Sequence, residues 1–216
     1  MSYQHLNLTY LLVKSDSENK KYYIIWDYFK RGYCFCIEAS LCLDTIGLFN
    51  YNLPIALFNF QQGIELMFKS IILLKNNTTE LEKDYKIHNI SKLWDHIKPL
   101  VKEIKDVPEG GLDTITNMIN TFANDLKEIK YSDDSDNERL GSYYYDYDRV
   151  VDPNALKYNI FIFIKVIYCL FAMFMNDNCE NKDILDKILD EEKFKNEIRI
   201  IDECIIKYSP KITVKN

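Results

Sequence analysis

Backbone breakers are scarce in this chain, with six Gly and five Pro spread over 216 residues. So few interruptions favour long helices over a fold of many short strands, which needs a turn every eight to twelve residues or so. Apolar periodicity points the same way. From Asn52-Leu53-Pro54, Leu57, Phe60, Ile64, Met67, Ile71 and Leu74 recur at three- and four-residue steps. That spacing lines one face of a helix running to about Lys75, with Pro54 in the first turn, where its missing N–H costs nothing. Asn76-Asn77-Thr78-Thr79 ends it.

The same reading predicts the other elements. Lys20 to about Phe49 is one long helix, with a strand left open at its aromatic start, Tyr22 to Trp26. Residues 3–14 are ambiguous between helix and strand. His88-Asn89 opens the next helix with Asn89 as N-cap, and Ile90, Leu93, Trp94 and Ile97 follow on one face. Pro99 predicts a kink or an end near Lys98. Pro108-Glu109-Gly110-Gly111 is a break, and Asp113 to Ile129 is helical again. A last helix is expected from Lys182 to Tyr208, where Phe194, Ile198, Ile201, Ile205 and Tyr208 form an interhelical seam.

Ala155 to Met175 is the most apolar stretch and has the length of a membrane span. Lys157 and the central Lys165 argue instead for a buried bundle helix or a dimer interface. The expected architecture is an all-α single domain of about five to seven helices: an extension over 1–19, a bundle over 20–208 and a tail over 209–216. Residues 131–154 stand apart. Asp133, Asp134, Asp136, Glu138, Asp146 and Asp148 lie there among five tyrosines, and this predicts an irregular acidic surface loop. Tyr143, Tyr144, Tyr145 and Tyr147 offer a stacking surface for a base or nucleotide, or pack over the bundle end with their hydroxyls in water.

A net charge of −6 and a pI near 5.2 argue against a broad electropositive groove for nucleic acid. Residues 1–20 lack the basic start and apolar core of a secretory signal. The six cysteines, Cys34, Cys36, Cys42, Cys169, Cys179 and Cys204, therefore read as buried thiols in a reduced, cytoplasmic setting. Cys34, Cys36 and Cys42 fit no zinc spacing and have no His nearby in sequence, so neither a metal nor a cofactor is predicted.

One polar stripe crosses the most regular apolar helix. Glu65 and Lys69 are spaced i, i+4 with the acid first, the favourable order for a helical ion pair, and Gln61 or Gln62 extends the stripe by one turn. His88 and Asn89 on the following connection are natural partners if this stripe faces inward. The bland account is a structural clamp between two helices; ligand contact and catalysis are the sharper ones.

The run FNFQQGIELMFKSIILLK followed by HNISKLW resembles the middle of a HEPN domain, a helical-bundle family of prokaryotic toxin–antitoxin and defence systems. Gln62, Glu65, Lys69, His88, Asn89 and Leu93 carry this resemblance over roughly forty residues. It implies a homodimer and a protein partner such as an antitoxin or a defence effector. Catalytic members of the family resemble one another in an Arg followed four to six residues later by His. One copy from each protomer forms a metal-independent site that cleaves RNA. None of Arg31, Arg139, Arg149 and Arg199 has such a His downstream, the three histidines being His5, His88 and His96. The resemblance therefore implies a non-catalytic module. The alternative is an endoribonuclease with a displaced site, for which Arg139, Arg149 and His88 are the first candidates.

Overall fold

A computed structural model of the chain describes residues 17–44, 52–86, 88–101, 110–128 and 152–209. These form seven α-helices and one short 3-10 turn: α1 (Ser17–Asp44), α2 (Asn52–Lys75), the turn Lys83–Tyr85, α3 (Ile90–Val101), α4 (Gly111–Glu128), α5 (Pro153–Asn178), α6 (Lys182–Ile188) and α7 (Glu191–Tyr208). The chain is all-α, a helical bundle with no strand among the described residues.

Tyr22, Ile25, Phe29, Gly32, Cys36, Ala39 and Leu43 are all buried and alternate three- and four-residue steps along α1. Such a seam is a helix pattern, and it accounts for the absence of a strand over Tyr22 to Trp26. α2 answers with Ala56, Phe60, Gly63, Met67, Ser70 and Leu74, also buried, and the two helices pack along most of their lengths. α5 lies across this pair and touches α1, α2, α3, α4 and α7. Aromatic rings knit the layers. Phe163 of α5 meets Phe60 and Phe68 of α2 edge-on at 5.7 and 5.6 Å, and Phe171 of α5 sits 4.1 Å from Phe29 of α1. Phe68 also stacks on Trp94 of α3 at 5.6 Å.

α5 is the one helix among the described residues long and apolar enough to cross a membrane, and 61% of its most apolar stretch is buried in the bundle. Both of its lysines are neutralised from other helices. Lys157 pairs with Asp44 at the end of α1, and Lys165 Nζ lies 2.6 Å from Asp202 of α7. These pairs let the helix keep two cations at nearly buried positions.

Several boundaries differ from the sequence reading, among them the start of α4 at Gly111 rather than Asp113 and the end of α5 at Asn178 rather than Met175. α1 begins at Ser17 rather than Lys20, and what was expected of it beyond Asp44 lies outside the described residues. α3 runs through Pro99 to Val101, because Leu100 and Val101 are buried and hold the last turn against the core. α5 starts at Pro153, two residues early, since Asp152 caps it by accepting a hydrogen bond from Asn154 N at 2.9 Å. The single last helix is in fact two. Leu189 N closes α6 on Leu185 O, and Asp190 opens α7 by accepting from Lys193 N at 2.8 Å.

Candidate functional site

Glu65 and Lys69 lie on the face of α2 that turns inward, at 3% and 6% exposure, so water cannot satisfy them. Lys69 Nζ donates to Glu65 Oε1 at 2.7 Å, and His88 Nδ1 meets the same oxygen at 2.9 Å. A carboxylate buried this deeply needs hydrogen-bond donors around it, and one lysine and one histidine supply them. His88 precedes α3, so the contact fastens the α2–α3 connection onto the middle of α2. Its side chain is 35% exposed, which makes it the edge of the cluster facing outward.

The cluster is incomplete on one side. Glu65 Oε2 is buried without a hydrogen-bond partner among the described residues. Both donors crowd onto Oε1, and the second oxygen is left bare.

Asn89 performs the other task on this connection. Its Oδ1 accepts from Lys92 N at 3.1 Å and caps α3, while its carbonyl receives Leu93 N. It therefore aims the helix and stands beside the Glu65 cluster. Of the two glutamines, Gln61 is buried and Gln62 half-exposed, so the inward stripe continues through Gln61, one full turn before Glu65. A neighbouring edge-on contact of 4.9 Å between Tyr85 and His96 closes the outer side of the connection.

Arg139, Arg149, Tyr143, Tyr144, Tyr145 and Tyr147 lie outside the described residues, as does His5. The two arginines within them are each engaged on their own helix: Arg31 with Asp27, and exposed Arg199 with Glu203 and Asn196. Neither reaches the Glu65 cluster through a contact the structure records.

A second polar cluster has no counterpart in the sequence reading. Tyr168 of α5 and Tyr33 of α1 both lie near the Glu197 carboxylate of α7. Burial, reinforced by the Glu197 charge, pushes the Tyr33 phenol up to about 12, and Tyr168 is pushed higher still by the same two causes. Three residues from three helices, with Tyr33 more than a hundred positions before the other two, leave no local signal to read.

The cysteines are free thiols. Cys36 and Cys179 are buried, whereas Cys34 is exposed on the outer face of α1, contrary to the expectation of burial for the set. Burial pushes the thiols of Cys34, Cys36, Cys42, Cys179 and Cys204 upward, Cys36 most. Among the described residues no three His, Cys, Asp or Glu side chains gather where a metal ion would sit. Comparison with known proteins returned no matching family model, no matching curated protein and no matching solved structure.

Proposed function

We propose that the chain is a non-catalytic HEPN-like helical module that acts by binding a protein or ligand partner and by dimerising, in the cytoplasm of a prokaryotic defence or toxin–antitoxin system. The observation that carries this reading is the Glu65–Lys69–His88 cluster. Glu65, Lys69 and His88, three of the residues on which the resemblance rests, meet in space as a clamp. Lys69 and His88 both contact one buried carboxylate, and that supports a structural and recognition role over proton transfer to a substrate. A net charge of −6 supports a protein or small-ligand partner over a long nucleic acid.

The test is incubation of the purified protein with RNA in EDTA, alongside light scattering for its mass in solution. Intact RNA and a dimer mass are the expected result. Cleavage that disappears in Arg139→Ala, Arg149→Ala or His88→Ala would overturn the proposal in favour of a rearranged ribonuclease.

A further inference from the structure

α7 is attached differently from the other long helices. Among its 18 residues Ile201 alone is fully buried, while Phe194, Ile198, Ile205 and Tyr208 are only partly covered. Its chief neighbour is α5. The attachment is a row of separate anchors. Phe194 meets Tyr168 edge-on at 4.9 Å, Glu197 lies near the Tyr168 phenol, and Asp202 holds Lys165 at 2.6 Å. At the far end Tyr208 stacks on Phe161 at 6.0 Å, and Lys157 Nζ lies 4.8 Å above its ring.

Two properties make such an attachment reversible. The first is that α7 supports itself. Asp190 caps it, Glu191 and Glu192 complement its positive N-terminal end, and Lys195–Glu191 and Arg199–Glu203 pairs brace its outer face. The second is that release strands no charge. Asp202 is already 42% exposed and Lys165 keeps 18% exposure, so neither is sealed from water while the helix is docked. Lys157 keeps Asp44 whether or not Tyr208 is present. The break at Leu189-Asp190 separates α7 from α6 and supplies the pivot. On the α1 side Tyr33 lies near Glu197 of this arm, and among the described residues no recorded contact joins the arm to the Glu65 cluster.

We infer that α7 is a releasable arm, a cooperative unit that leaves α5 while α1 to α5 stay folded and so uncovers the α5 face around Phe161, Lys165 and Tyr168. Elements with few fully buried contacts open at free energies well below that of the whole domain. The Lys165–Asp202 pair makes the opening salt-sensitive, because that pair is partly open to solvent and is screened as ionic strength rises.

Hydrogen exchange of the full chain, followed by peptide mass at low salt and at about 0.5 M salt, tests this directly. Peptides of α7 are expected to exchange together, at least about tenfold faster than those of α2 and α5, and faster again at high salt while α2 stays unchanged. Asp202→Asn, a half-exposed position, should accelerate α7 in low salt and abolish most of the salt effect. Exchange of α7 at the rate of α2 in both salts would overturn the inference, and so would α2 and α5 accelerating in step with α7.

Discussion

Gly32 of α1 and Gly63 of α2 face each other where the two helices cross: a side-chain carbon on either would stand 2.8 Å from the other's carbonyl oxygen. The backbones approach so closely that only hydrogen fits between them. Cys36 and Met67 fill the space immediately beside this contact, with their sulfurs 4.0 Å apart. The seam of the α1–α2 pair therefore has its narrowest point where both chains lack a side chain.

Gly63→Ala should be among the most damaging single-methyl additions in the protein. The new carbon meets the Cys36 sulfur and the Gly32 carbonyl, so α1 must shift outward, at a cost of about 3 kcal/mol. Gly110→Ala offers the contrast. Gly110 has a φ of +72° with nothing within 4 Å, so only the left-handed backbone is penalised, by about 1–2 kcal/mol. Urea unfolding of the two variants should rank them in this order; equal losses would refute the close-approach account.

Lys69→Met should cost about 3–5 kcal/mol, because Glu65 then keeps a buried charge with His88 as its remaining recorded donor. Combining it with Glu65→Leu should restore most of the loss, since the charge that needed the lysine is gone. A double-mutant cycle by chemical unfolding measures the coupling, and additive losses would show that the two side chains act separately.

The phenols of Tyr33 and Tyr168 predict an alkaline limit to stability. Their folded pKa values lie above the ordinary 10.0, at about 12 for Tyr33, so the fold favours the neutral form. That stabilisation is fully present below the unfolded pKa and is lost as pH rises from about 10 through about 12. Unfolding midpoints should fall over that window, and Tyr33→Phe should flatten the fall. Absorbance of phenolate should show two late-titrating tyrosines in the folded protein.

Asp44→Asn should destabilise by about 1–3 kcal/mol, because Lys157 is buried and loses its carboxylate, although half-exposure of Asp44 moderates the effect. Lys157→Met removes the need for the partner, and Asp44→Asn in that background should be nearly silent. Thermal unfolding of the four proteins decides it.

Much of this was legible in the sequence. The apolar steps from Phe60 to Leu74 define α2, and Asn89 announces the start of α3 through the hydrogen bond its side chain in fact makes to Lys92 N. The Glu65–Lys69 pair follows from spacing alone, and His88 on the following connection is a natural candidate partner once the stripe faces inward. What stayed hidden depends on positions far apart in the chain. Gly32 and Gly63 read as weak points inside helices until each is seen to be the other's clearance. Lys165 reads as an argument against a membrane span, with nothing to name Asp202 thirty-seven residues on as its partner. The division between α6 and α7 was readable, since Asp190-Glu191-Glu192 is a cap followed by an acidic first turn, but the apolar pattern running across it masked the break.

The pairing of the two α5 lysines also has an order in time. A ribosome delivers Asp44 before Lys157, so the first cation of α5 finds its carboxylate waiting in chain already made. Lys165 must wait for Asp202, which is synthesised later. Until then the most membrane-like segment of the chain exposes an uncompensated cation near its middle. A lysine at the centre of a spanning helix opposes insertion by about 2.5–3.5 kcal/mol. α7 thus neutralises a charge that, while bare, opposes insertion of α5 into a membrane.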